Sequence, residues 1–398
     1  MSSRPPSDRR LRRHPNRGWL LLLLICWLGA APSAGAVPCP APEPGADLRR
    51  CTFAGADLTA TSLAGADIRG VDFRGAILTG VNFTRAFARG ANFSAAILDG
   101  AVLSGDFQGA QFRGAQMTGV QGARGIFFGA DFSGARMDRA NFTQANLHSA
   151  RLVGTVAPGA VLTRANLRRI EAVGADLSGA DFSRAVLIHA VLSDANLAQA
   201  NFSEADLTAT RFDHARMNGA RLRGAYLFNT SFVGAQATRV DLRDAILIRP
   251  RVWDANFGGV TGAPDWLARG SVGGKFTPLK MQTAIRQGLR DLMGAYLHGL
   301  DLSGLDLSKA DLRYADLTDA VLRESDLRDS DWLLADASGA DLRGAKLEGV
   351  NFAGVRLDGA KLFATLRAEA VVWGFVGEPE WVEPGGTEGG ASSSPPEP

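Results

Sequence analysis

Histidine and cysteine, which most often bind metals or take part in catalysis, are scarce in this sequence. Among 398 residues there are five histidines and three cysteines. Four of the histidines follow residue 36, and none of them stands beside another histidine, a cysteine or an acidic cluster at a metal-ligand spacing. We expect them to be solvated surface residues, and the sequence predicts no metal site and no cofactor. They are His148, His189, His214 and His298.

The arrangements that nucleophilic catalysis or phosphate binding would need are also missing. Serine and threonine are frequent, but no neighbouring base or oxyanion pattern accompanies them. Glycines recur one at a time rather than in a phosphate-binding loop. The sequence therefore predicts a protein that is not an enzyme.

No apolar run is long enough to cross a membrane. The longest, Trp19 to Leu28, has about ten residues against the roughly twenty that a span needs. Five arginines between residues 9 and 17 precede it, and Ala34-Gly35-Ala36 offers a small-x-small cleavage site. We predict that residues 1–36 are a signal peptide for the general export route, with a retained anchor as the alternative. The mature chain would carry 37 basic and 40 acidic residues, a net charge of −3.

Two cysteines remain after such a cleavage, Cys39 and Cys51. In an oxidising compartment they could form a disulfide across a loop of about thirteen residues, worth roughly 3 kcal/mol in the loop-entropy model. We predict this disulfide. The alternative is that Cys51 only takes the place of a small inward residue in its repeat.

A period of five residues runs through most of the chain. From residue 295 it reads AYLHG LDLSG LDLSK ADLRY ADLTD. On an α-helix this period moves successive leucines by about 140°, so no apolar stripe forms. On a flat strand an odd period sends them to opposite faces. A chain that turns a corner once per repeat buries every leucine, which indicates a coiled β-solenoid.

Each repeat has a Leu or Phe centre, such as Leu58 or Phe132, with a small residue such as Ala56 or Ala130 two positions earlier. Both point inward, because two large side chains from every face would overfill a densely packed interior. The three other residues, mostly Asp, Asn, Ser, Thr, Arg and Gly, suit solvent and tight corners.

The segments ADLTA, ANFSA, ADFSG, ANLAQ and ADLRG resemble the A-(D/N)-(L/F)-x-x motif of the pentapeptide-repeat family. The resemblance implies an all-β fold, a right-handed quadrilateral β-helix with about twenty residues per coil. Calcium binding by stacked Asp and Asn is an alternative that the interleaved arginines disfavour.

The register loses one residue near 104–106, and the weak repeats at 122, 157–158 and 172 are expected to be bulges or weak turns. The five-residue period stops at residue 262. A Trp-Leu segment and an amphipathic helix starting at Thr277-Pro278 then offer a cap, although a membrane or partner helix is the alternative.

We predict a signal peptide (1–36), an N-terminal cap segment (37–45), a first solenoid (46–262), a linker with a capping helix (263–294), a second solenoid (295–366), and a C-terminal cap with a disordered tail (367–398).

With twenty residues per coil, one solenoid face carries apolar side chains at outward positions that should be polar. We interpret it as an interaction face; the alternative is that such residues merely favour strands. The predicted face residues are Ile126, Phe128, Val186, Ile188, Tyr226, Phe228, Ile246 and Ile248, with Trp253 on the neighbouring face.

These patterns predict an exported, non-catalytic scaffold, located in the periplasm, at the cell surface or outside the cell. Its partner would be another protein, the cell envelope or a second copy, with no nucleic acid and no membrane span after cleavage. The alternative comes from family relatives that imitate DNA and protect type II topoisomerases. A signal peptide and a near-neutral charge disfavour it. The sequence leaves open whether the two solenoids stack as one rod or fold back on each other.

Overall fold

A computed structural model describes residues 39–270, 276–363 and 374–383. The described residues from Ala41 onward form one compact unit. Residues 1–36, predicted to be a signal peptide, and residues 384–398, predicted to belong to a disordered tail, lie outside the described residues.

Four consecutive repeats make one coil. Asp47, Thr52, Asp57 and Ser62 each form a parallel bridge with the residue twenty positions later. The chain therefore turns a corner at every repeat and returns above itself after four, which produces a four-sided β-helix. Many of these bridges involve single residues, whereas β1 (Tyr226–Phe228) and β2 (Ile246–Ile248) form a three-residue parallel pair.

The lumen is filled by the repeat centres, and small residues leave room for them. The phenylalanines stack coil on coil: the ring centroids of Phe73 and Phe93 are 5.0 Å apart, and those of Phe112 and Phe132 are 4.9 Å apart. The alanines two positions before the centres, such as Ala91 and Ala130, are fully buried. Such offset aromatic pairs stabilise beyond the area that they bury.

The loss of one residue near 104–106 is visible in the ladder, because Phe87 bridges Asp106, nineteen positions later. Gly105 makes the shortened corner possible. A Cβ atom there would lie 2.7 Å from the carbonyl oxygen of Ala86 and 2.9 Å from that of Phe83.

The prediction of bulges or weak turns at the degenerate repeats is wrong. Bridges from Gln121, Val156 and Glu171 all keep the twenty-residue spacing. At the first of these repeats Gly122 occupies the centre, and the ring of Phe142 occupies the space that its Cβ would need, 2.7 Å away. A neighbouring coil thus compensates for the small centre without changing the backbone.

Two helices lie between the repeat blocks: α1 (Asp265–Gly270) and α2 (Pro278–Arg286). Helix α2 begins with Thr277 as N-cap and proline in its first turn, a combination that satisfies free amide groups without losing a needed donor. Trp266 and Leu267 of α1 and Met281 and Ile285 of α2 are buried.

The second solenoid stacks on the first instead of folding back. The amide of Arg249 donates to the carbonyl of Gly294 at 2.8 Å. In an uninterrupted ladder the acceptor would be the carbonyl of residue 268, nineteen positions after Arg249. A Cβ on Gly294 would lie 2.6 Å from the carbonyl oxygen of Leu247 and 3.0 Å from the Cα of Ile248. The helices are therefore inserted into one coil of a continuing rod.

In the second solenoid, strand β3 (Lys361–Phe363) pairs in parallel with β4 (Glu380–Val382). Phe375, in the predicted C-terminal cap, packs partly buried against the core together with Trp381. Val372 and Trp373, also in the predicted cap, lie outside the described residues.

Candidate interaction face

The predicted interaction face is the side of the β-helix whose centres include Phe127, Leu187, Leu227 and Leu247. We call it the paired face, because in four of its coils the outward residues on both sides of the centre are apolar. These apolar pairs are Ile126/Phe128, Val186/Ile188, Tyr226/Phe228 and Ile246/Ile248.

Two of the apolar pairs lie in adjacent coils. Strands β1 and β2 set Tyr226 against Ile246 and Phe228 against Ile248, while Leu227 and Leu247 point into the lumen. Tyr226 is 54% exposed, Ile246 47% and Phe228 40%. The four side chains therefore present a compact apolar surface to solvent.

The apolar residues of the paired face do not form one continuous patch along the rod. The ladder runs from Ile126 through Asn146 and Asn166 to Val186, and then through Asp206 to Tyr226. Polar coils therefore separate the first two pairs from each other and from the third.

Trp253 is also placed differently from the prediction, since it is not on an open surface. Its ring centroid lies 5.2 Å from that of Phe276, in the inserted segment, and 5.2 Å from that of Tyr296, in the second solenoid. Burial raises the pKa of the Tyr296 phenol. Trp253 therefore belongs to the junction between the two solenoids.

Arg249 was not singled out from the sequence, although it joins the two solenoids. Its guanidinium donates to the carbonyl of Tyr314 at 3.0 Å and to that of Leu334 at 2.6 Å, and it lies 4.0 Å from the carboxylate of Asp336. The acceptors lie at the same corner, on the second and third turns beyond Arg249. A repeat pattern shows no such contact, because the partners are 65 and 85 residues away in sequence.

Met293 was missed too. It is 39% exposed and directly precedes Gly294, which lies against Leu247 and Ile248. The apolar surface of β1 and β2 thus reaches the first coil of the second solenoid. The sequence signal was the motif LMGAY, in which methionine stands where most repeats carry a polar residue.

Elsewhere several repeats carry Asp–Arg pairs two residues apart at their outward positions. Asp241 and Arg243 are 2.6 Å apart, and hydrogen bonding by the Arg243 side chain lowers the pKa of Asp241 to about 2. Arg323 and Arg343 both contact Asp341, at 2.6 and 2.8 Å. These arginines neutralise the stacked aspartates, so the Asp-rich surface is a set of ion pairs rather than a cation site.

Within the described residues, no group of three His, Cys, Asp or Glu side chains could hold a metal ion. The histidines have other neighbours: the His148 ring lies 5.2 Å from that of Phe128, and Nδ1 of His298 is 2.7 Å from Oγ1 of Thr318. None of the helices described is both long enough and apolar enough for a membrane span.

Cys39 and Cys51 are both disulfide-bonded in the structure. Cys51 is also buried, at the position of the small inward residue of its repeat. Whether the bond is present in the native protein stays a prediction.

The model of the family described as pentapeptide repeats matches eight segments of the chain. They cover residues 45–80, 76–119, 126–164, 160–203, 205–244, 220–261, 291–329 and 335–362. Among curated proteins no relative matches.

Several solved structures are similar. HetL of the cyanobacterium Nostoc sp. strain PCC 7120, a pentapeptide repeat protein involved in regulating heterocyst differentiation, is 21% identical; the match covers 76% of this chain and 90% of HetL, with a TM-score of 0.24. A thylakoid-lumen pentapeptide repeat protein of Arabidopsis thaliana is 33% identical over 30% of this chain and 66% of its own, with a TM-score of 0.19. The plasmid-mediated fluoroquinolone resistance protein QnrB1 is 17% identical over 55% and 96%, with a TM-score of 0.24. The family-model matches span well over half of the residues, and the predicted right-handed quadrilateral β-helix is confirmed: the chain belongs to the pentapeptide-repeat family.

Proposed function

We propose that this protein is an exported, non-catalytic scaffold whose paired face binds a protein of the cell envelope. The observation that carries the proposal is the apolar surface of β1 and β2, where Tyr226, Phe228 and Ile246 are each at least 40% exposed. An apolar cluster of this kind on a surface of ion pairs more often marks an interaction site than chance exposure.

Strand propensity alone is a poor explanation for these residues. Propensity acts on all four faces, and single apolar side chains do occur on the others, for example Ile77 and Val173. Over residues 46–262, however, only the paired face carries Leu, Ile, Val or an aromatic side chain at both outward positions of one coil. A partner that contacts the full width of one face explains this restriction.

Export rests on the composition of the first 36 residues, and it has its own test. We expect the native protein to be recovered outside the cytoplasm with an N-terminus near Val37. N-terminal sequencing of the purified native protein decides this. A cytoplasmic protein that retains Met1 would contradict the proposal.

Binding is tested by replacing Phe128, Ile188, Phe228 and Ile248 together by serine. These side chains point outward, so the far-ultraviolet circular dichroism of the β-helix should not change, while association with envelope proteins after chemical crosslinking should be lost. The matched control carries Ile77→Thr and Val173→Thr, on other faces, and should behave like wild type. A folded face variant with the full set of crosslinked products would refute the assignment.

A further inference from the structure

In each of the seven consecutive coils from Ile126 to Ile248, the two outward positions of the paired face are either both apolar or both polar. Where the residue before the centre is apolar in an apolar pair, the residue after the centre is apolar too. Where the first is polar, as at Asn146, Asn166 and Asp206, the second is polar as well, namely His148, Arg168 and Thr208. This regularity extends over the seven consecutive coils from Ile126 to Ile248.

Such a match is what a symmetric contact requires. A two-fold axis that runs parallel to the rod places the residue before the centre in one copy against the residue after the centre in the other, at the same height. Tyr226 would then meet Phe228 of the second copy, and Ile246 would meet Ile248. The polar coils would pair Asn with His, Asn with Arg, and Asp with Thr, all of which can hydrogen-bond.

We infer that the paired face binds a second copy of this chain, with the two rods side by side and pointing in the same direction. The inference rests on the proposed function of this face and names its partner. The inference can distinguish parallel from antiparallel rods because the apolar pairs are unevenly spaced. From Ile126 to Ile246, successive pairs are three, two and one coils apart.

A parallel pair of rods superimposes all four apolar pairs on themselves. An antiparallel pair superimposes at most three of them, and then Tyr226 and Phe228 face the polar coil of Asn146 and His148. Desolvating those polar groups against apolar side chains is unfavourable. The parallel arrangement is therefore the one that the sequence of this face fits.

The size of the contact indicates a reversible dimer. Seven coils at about 4.8 Å each make a strip roughly 30 Å long and one strand wide. Contacts of this extent belong to weak complexes. We expect a monomer at about 1 µM and a dimer at about 100 µM.

Sedimentation equilibrium of the native protein, purified from its cells or from an export host, tests the inference. We expect dimerisation that rises with concentration and is lost when Tyr226 and Phe228 become serine and Ile246 and Ile248 become threonine. The variant with Ile77→Thr and Val173→Thr should dimerise like wild type. A dimer that survives in the folded face variant would overturn the inference.

Direction is tested with nitroxide labels on single cysteines that replace Arg69 or Asn229, six coils below and two coils above the coil of Val186. In parallel rods the distance between the two labels should be short and similar at both positions. In antiparallel rods centred on Val186, the distances along the rod would be about 58 and 19 Å, which would refute the parallel arrangement.

A native protein that remains monomeric at every concentration would also overturn the inference. The proposed function would stand in that case if envelope proteins still crosslink through the face. The two claims therefore fail separately.

Discussion

Arg249 offers the sharpest test of how the two solenoids are joined. In the Arg249→Ala variant, the backbone hydrogen bond to Gly294 can persist, but the guanidinium bonds to the carbonyls of Tyr314 and Leu334 are lost. The Arg249 side chain is only 20% exposed, so solvent replaces these bonds incompletely. A hydrogen bond to a charged group contributes about 1.5–3 kcal/mol, and we expect the loss of both to cost roughly 3 kcal/mol.

The loss should be localised, because the bonds cross the junction between the solenoids. Hydrogen–deuterium exchange, read by mass spectrometry, should show faster exchange in residues 291–353 and little change in residues 46–200. The matched control is Arg169→Ala. Arg169 occupies the same corner four coils below, has the same left-handed backbone and is exposed. If both variants exchange alike, the role assigned to Arg249 is wrong.

Three further predictions concern stability. Gly105→Ala should lower the free energy of unfolding by about 1–3 kcal/mol because its Cβ would overlap backbone, whereas Gly258→Ala should cost less; urea denaturation compares them, and equal costs would contradict the close approach. The pKa of Asp341 is low: burial raises it, but hydrogen bonds from arginines bring it to about 2. The contribution of ionised Asp341 to the stability of the fold is therefore complete above about pH 4 and should fall toward pH 2. Thermal melts should show this loss reduced in Asp341→Asn, and an unchanged acid profile would count against it. Cys39 and Cys51 should resist alkylation until reductant is added, after which stability should fall by roughly 3 kcal/mol; two thiols that react in the native protein would refute the disulfide.

The residues that fill the repeat interior could be predicted from the sequence because they depend only on positions within each repeat. A centre such as Phe132 and a small residue such as Ala130 must both point inward, and the structure buries both. The one-residue slip was also visible, since every later centre shifts with it. These features depend on spacing alone.

Other features depend on what lies one coil away, which spacing does not show. Gly122 was expected to disturb the coil, yet Phe142 fills the space beside it. Trp253 was assigned to an open face, although the inserted segment supplies Phe276 to cover it. The polar coils within the paired face could have been predicted by stacking every repeat instead of the apolar ones alone.

The central claim is that the paired face is where this protein contacts its partner. The most direct measurement replaces Phe228 by a photoreactive phenylalanine analogue in cells that produce the protein, with the same analogue at Ile77 as the control. We predict that irradiation gives a discrete crosslinked protein adduct from position 228 and none from position 77. Equal crosslinking from both positions, or none from position 228, would contradict the account.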